Sequence, residues 1–221
     1  MPSRTFFNLP EPKRRLILDL AIEEFAAHDF PQASISRIVA RAGIAKGSFY
    51  QYFADKSDLY LYLLQMAADE KRIFLQSERP PETHSAFFDT LRWLFRAGMH
   101  FEFSNPQLAQ VAFRAVYGHA PVPAAVDVLR GRPELFFRPL VVQAQADGEI
   151  DPDIDPDLVA FMLNAIMTQL GDFLLSRLAL SPDALLADGS LPFDQPNFWT
   201  LIEDLLRILE RGLLPPQHSL R

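Results

Sequence analysis

The sequence predicts an all-α protein, and three observations carry that expectation. Between Ser34 and Phe53 apolar residues recur at helical spacing on both sides of Gly43. Stretches near 84–104, 156–178 and 196–213 are apolar at helical intervals over several turns. Strand-like alternation, internal repeats and low-complexity tracts are absent from the sequence.

At 221 residues the chain is long enough for one large or two modest domains. Apolar residues make up 49% and charged residues 22%, a balance that suits a soluble globular protein with a real core. The absence of cysteine excludes disulfides, thiolate metal sites and a cysteine nucleophile. No basic segment followed by an apolar run opens the chain, so no signal peptide is expected. No uninterrupted apolar run reaches the ~18–20 residues that span a bilayer. The expected compartment is the cytoplasm. His28, His84, His100, His119 and His218 are scattered without a metal-ligand spacing. Nucleophile-elbow, phosphate-loop and dinucleotide motifs are missing. Neither an enzyme nor a cofactor or metal site is expected.

Net charge is −7, but it is unevenly spread. The first sixty residues hold eight Lys/Arg and seven Asp/Glu, the remainder thirteen and twenty-one. Between Pro31 and Ser57 four basic residues face one acid. Such a chain presents a modest positive face at one end and repels nucleic acid elsewhere.

Taken in order, Met1 to Pro10 reads as a tail. Its Phe6, Phe7 and Leu9 either pack on the first helices or accompany Arg4 in an arm that reaches a phosphate or the minor groove. A helix follows over about Glu11 to His28, with Pro12 tolerated in its first turn and Ile17, Ala21, Ile22 and Phe25 on its core face. Ile35, Ile38, Val39 and Ala42 mark a second helix that Gly43 ends in a left-handed turn. A third begins near Lys46, with Phe49 and Phe53 inward and Gly47, Ser48 and Gln51 outward. These two short helices joined by a glycine turn form a helix-turn-helix. The second is rich in donors and free of acids, which suits a DNA major groove. Gln51 suits adenine edges and Lys46 guanine. Ser34, Arg37, Arg41, Tyr50, Tyr52 and Lys56 suit phosphates; the alternatives are that the two tyrosines pack beneath the motif and the two arginines are solvated.

Asp55 caps a fourth helix that reaches the low 70s, with Leu59, Leu63, Met66 and Ala67 on one face. Arg79-Pro80-Pro81-Glu82 is a break. Helices are expected over about 84–104, from Pro106, over about 133–146, 156–178 and 196–213, with a proline-bounded loop from His119 to Pro123. The acids between Asp147 and Asp157 lack the glycine and glutamate an EF-hand needs, so a turn is expected, followed by Asp155 capping a helix with Pro156 at its first position. That helix is apolar on two sides, and so is the last one. A partner subunit is the economical explanation. Phe161, Leu163, Ile166, Leu170, Phe198 and Ile202 are the expected dimer interface. Trp93, His100, Phe101, Phe113, Arg114, Tyr117, Phe137, Asn164 and Gln169 are the candidate pocket, whose aromatics either line an apolar cavity or fill the core.

The helix-turn-helix resembles the DNA-binding segment of the Tet repressor (TetR) family of bacterial regulators. The matching positions are Ser34, Ile35, Ile38, Ala42, Gly43, Ile44, Lys46, Gly47, Ser48, Phe49, Tyr50, Tyr52, Phe53 and Lys56. Upstream, Ile17, Ala21 and Phe25 fit the family's first helix, so the resemblance runs from roughly residue 5 to 65. It implies base contacts at Lys46, Gly47, Ser48 and Gln51 and backbone contacts at Tyr50 and Lys56. It also implies a DNA-binding domain over 1–55, a helical effector-binding and dimerisation domain over 56–221, and a homodimer whose last two long helices form the interface. The implied function is a ligand-responsive regulator, most simply a repressor released from a near-palindromic double-stranded operator by a hydrophobic or amphipathic small molecule. The alternative is a helical small-molecule-binding or interaction protein without DNA binding. Two departures stand out. Asp29 replaces the family's usual glycine, so a slightly strained turn is expected there. Ala45 replaces a capping serine, a loss of ~1 kcal/mol at the recognition helix.

Overall fold

The computed structural model of the chain describes residues 1–78, 86–117, 133–179 and 197–214, without the side chains of 116–117 and 133–135. The expected break at Arg79–Glu82 and the loop from His119 to Pro123 lie outside the described residues. All regular elements within them are helical: α1 (Arg4–Phe7), α2 (Glu11–Ala27), α3 (Ile35–Arg41), α4 (Lys46–Tyr52), α5 (Lys56–Ser77), α6 (Phe87–Ser104), α7 (Pro106–Tyr117), α8 (Pro133–Ala146), α9 (Pro156–Arg177) and α10 (Phe198–Leu213). The chain divides into two compact units, at Arg72/Ile73 within α5 and again between Ser104 and Asn105.

The first unit holds α1–α4, α5 up to Arg72, and α7. Helix α2 packs on α3 and α7, α3 on α4, and α4 on α1. Its core joins Ile17, Ala21 and Phe25 of α2 to Ile38, Phe49, Phe53, Leu59, Tyr60 and Leu63, and to Leu108, Val111 and Ala115 of α7. Tyr60 is 1% exposed, and its hydroxyl reaches the Val111 carbonyl at 3.5 Å. Burial pushes that phenol up to about 12, the nearby Arg114 opposing the shift and Asp29 adding to it. Helix α5 begins as expected: the Asp58 amide donates to the Asp55 carboxylate at 2.8 Å, and the Ala54 amide to Asp58 at 3.0 Å.

In this unit one alternative is decided and one expectation changes. The tail packs on the helices, as the first of its two readings has it: Ser3 caps a one-turn helix by accepting from the Phe6 amide, Phe6 is fully buried, Leu9 packs on the core and Phe7 stays half-exposed. Asp29 is not left-handed, since Ala179 is the non-glycine with positive φ among the described residues. The Asp29 carboxylate instead pairs with the Arg114 guanidinium of α7, whose Nε also donates to the Ala26 carbonyl at 2.9 Å. The turn after α2 is therefore tied to α7 rather than strained.

The second unit holds the end of α5, α6, α8, α9 and α10. Helix α9 packs on α8 and α6, and α10 on α6. The turn after α8 serves this packing. Glu149 accepts the Phe87 amide at 2.6 Å at the start of α6, and the Asp151 amide donates to the Leu213 carbonyl at the end of α10. Asp155 caps α9 by accepting the Asp157 amide at 2.8 Å, with Pro156 next, as the sequence predicts.

Four of the six expected interface residues are corrected here. Leu163, Leu170, Phe198 and Ile202 are at most 4% exposed and belong to this unit's own core, and Ile166 packs partly against it. Phe161, at 64%, is the one left open to solvent. The exposed apolar residues of these two helices are Leu158, Phe161 and Phe173 on α9 and Ile208 on α10. By length and composition α9 would suffice to cross a membrane, although Asn164, Thr168 and Gln169 interrupt its apolar run.

Candidate nucleic-acid interface

The turn between α3 and α4 is a Schellman motif. Gly43 sits at φ +63°, its amide donates to Ala40 at 3.3 Å, and the Ile44 amide donates to Val39 at 3.0 Å. Glycine takes this conformation at no steric cost, so α3 ends here and α4 can leave in a new direction. Helix α4 is anchored from below. Phe49 and Phe53 are buried, their rings stacked at 5.6 Å, and Tyr52 is 7% exposed. On the other side Lys46, Gly47, Tyr50 and Gln51 are exposed and Ser48 is half-buried. The space where a Cβ would stand on Gly47 is empty, which leaves the helix backbone approachable. Ala45 occupies the N-cap without a side-chain bond, so the amides at the tip of α4 lack a hydroxyl partner, as the sequence predicts.

Four residues read from the sequence as phosphate contacts have internal partners. Ser34 caps α3 through the Arg37 amide at 3.4 Å. Arg37 donates through Nε and Nη2 to Glu24 at 2.5–3.1 Å and to the Gln32 carbonyl at 2.8 Å. Tyr52 lies beneath the motif with its ring 6.0 Å from Phe6. The Lys56 ammonium donates to the carbonyls of Phe30, Pro31 and Ala33 at 2.6–3.3 Å and sits 4.6 Å over the Phe30 ring. Arg41 differs: it is exposed and paired with Glu23, which is half-exposed, an arrangement of little net stability.

Glu24 is the residue that sequence reasoning missed. It is 5% exposed, and besides Arg37 it accepts the Ser34 amide at 2.7 Å. One carboxylate thus joins α2 to the start of α3. Burial pushes Glu24 up, but the Arg37 hydrogen bonds, the Ser34 amide and the charges of Arg37 and His28 outweigh it and hold the carboxyl below its ordinary 4.5. The signal was an acid standing seven residues after Ile17, in register with the apolar face.

Lys56 thus ties the start of α5 to the turn that precedes α3. Lys56→Met is expected to cost about 1–2 kcal/mol, since three carbonyls lose a charged donor. Denaturant titration checks this. The salt dependence of duplex binding should keep its slope, and a slope reduced by about one would return Lys56 to the phosphates.

The pocket candidates fall in both units. Trp93 and His100 line an open recess of about 570 Å³ in the second unit, beside Arg92, Arg96 and Trp199. Arg96 lies 5.1 Å from the Trp199 ring centre, and both arginines pair with Glu203. Phe101 and Phe137 are buried, the former against Phe74 at 5.5 Å. Asn164 and Gln169 lie on α9, half-buried and exposed. Phe113 and Arg114 belong to the first unit, and the side chain of Tyr117 is outside the described residues.

Comparison with known proteins gives two family matches. Residues 17–63 match the bacterial regulatory proteins of the tetR family, and residues 85–214 match the tetracyclin repressor-like C-terminal domain. A solved TetR family transcriptional regulator from Chloroflexus aurantiacus is 48% identical, with a TM-score of 0.81, over 96% of this chain and 98% of that one. The HTH-type transcriptional repressor SCO4008 of Streptomyces coelicolor is 30% identical over 127 residues, 53% of this chain and 65% of that protein. The fatty acid metabolism regulator protein of Bacillus subtilis is 37% identical over 54 residues, 24% of this chain and 28% of that protein. The chain thus spans less than two thirds of these last two relatives. The helix-turn-helix geometry, the two family matches and the near full-length likeness agree: this chain belongs to the TetR family of DNA-binding transcriptional regulators.

Proposed function

We propose that the protein is a cytoplasmic, homodimeric repressor that a hydrophobic or amphipathic small molecule releases from a near-palindromic operator. The observation that carries this reading is α4 itself, anchored on Phe49, Tyr52 and Phe53 and presenting Lys46, Gly47, Tyr50 and Gln51 to solvent without an acid among them. In a dimer two such helices enter successive major grooves about 34–36 Å apart. Reading resides within residues 1–55, with Lys46, Ser48 and Gln51 toward bases and Tyr50 and Arg41 toward phosphates. Effector binding and dimerisation reside in 56–221. Effector coupling of about 1–3 kcal/mol gives a several-fold to hundred-fold loss of affinity. The names of the relatives, a repressor and a fatty acid metabolism regulator, support the regulator reading and an amphipathic effector.

Selection of bound sites from random duplexes tests the proposal, followed by release with amphipathic compounds. In that assay Gln51→Ala should relax preference at one base position and weaken the selected site about tenfold, leaving random duplexes unaffected. Equal loss on all duplexes would place Gln51 on the backbone instead.

A further inference from the structure

The first nine residues lie outside the span of the family match, yet they meet the far end of the reading helix. The Ser3 amide donates to the Tyr52 carbonyl at 2.8 Å, and the Ser3 hydroxyl donates to the Gln51 carbonyl at 2.5 Å. These carbonyls belong to the last turn of α4, where a helix offers its carbonyls no amide donors of its own. Phe6 is fully buried, its ring 4.9 Å from Phe53, 6.0 Å from Tyr52 and 6.2 Å from Tyr62. Helix α4 needs such support. It is seven residues long, far below the length at which a helix is stable alone, and its other end is uncapped at Ala45.

We infer that α1 is a C-terminal clamp on the reading helix: Ser3 and Phe6 are positioning residues that hold α4 folded and ready for the groove, without touching DNA. The consequence for DNA rests on the function proposed above; the clamp itself does not.

The test uses the full chain carrying Ser3→Ala or Phe6→Leu, the second keeping an apolar side chain at the buried site. Hydrogen–deuterium exchange on the free protein should show amides 46–53 exchanging about tenfold faster, with α2 and α5 unchanged. Affinity for the selected duplex should fall about tenfold while its salt slope stays constant, because no phosphate contact is lost. Adding Ala45→Ser, which caps α4 from its other end, should recover most of both effects. Wild-type exchange in α4 in both variants would overturn the clamp. So would uniform acceleration across α2, α4 and α5, which marks Phe6 as ordinary core. A reduced salt slope would overturn it in favour of an arm on phosphates. If α4 loosens selectively but the wild-type protein binds no duplex, the clamp stands and the DNA reading fails.

Discussion

Replacing Phe161 and Ile208 together by aspartate is expected to leave a folded monomer that binds the selected duplex at least a hundredfold more weakly. Helix α9 has two apolar faces. Val159, Leu163, Leu170 and Leu174 are buried within the unit. Leu158, Phe161 and Phe173 lie together on the other side, within about a third of the circumference by helical geometry, and are 54–64% exposed. Ile208 on α10 is 69% exposed. Each such side chain contributes roughly 1.5–3 kcal/mol when fully buried, and a two-fold interface uses each twice. Aspartate removes that gain and places four charges in the contact. A monomer carries one reading helix and loses the effective concentration that links two half-sites, typically a factor of 10²–10⁴. Because both positions are exposed in the single chain, helical circular dichroism should be unchanged. Light scattering measures the mass, and duplex titration measures affinity. A dimeric variant with undiminished affinity would show that this face is not where two subunits meet.

The fold and the reading motif were legible because they are local. Apolar spacing fixes α2 to α5, and one glycine with the residues on either side of it fixes the turn. What was not legible depends on which distant group a side chain meets. Lys56 and Arg37 look like phosphate ligands in sequence because they are cations beside the motif. In the structure their donors are taken by carbonyls and a carboxylate that other segments supply. Asp29 looks like a strained substitute for glycine until Arg114, eighty-five residues later, provides its counter-charge. On α9 and α10 the pattern reveals two apolar stripes but not which one the chain covers itself. Leu163, Leu170, Phe198 and Ile202 therefore fell on the wrong side of that choice. The candidate pocket was less legible for a related reason: aromatic content says nothing of location, and its residues divide between two units.

Glu24 is where this dependence on distant partners has its largest expected effect on stability. Glu24→Ala removes the acceptor of the Ser34 amide and of Arg37 in one step. Arg37 is half-exposed and can return its charge to water, so the cost stays below that of stranding a buried ion. About 2–3 kcal/mol is expected, from a lost charge-assisted pair plus an amide left without its acceptor. For a chain of this size that is roughly 5–10 °C in the unfolding midpoint. The pH dependence follows from the direction of the Glu24 shift. Its folded carboxyl titrates below the ordinary 4.5, so the unfolded chain takes up the proton first. The stabilisation is fully present above pH 4.5 and is lost as pH falls from there through the folded value. Glu24→Gln, which keeps the shape without the charge, should therefore be less stable than wild type near neutrality and approach it in acid. Denaturant unfolding across that range measures the gap. A difference that persisted unchanged well below pH 4 would mean the Glu24 carboxylate is not what ties α2 to α3.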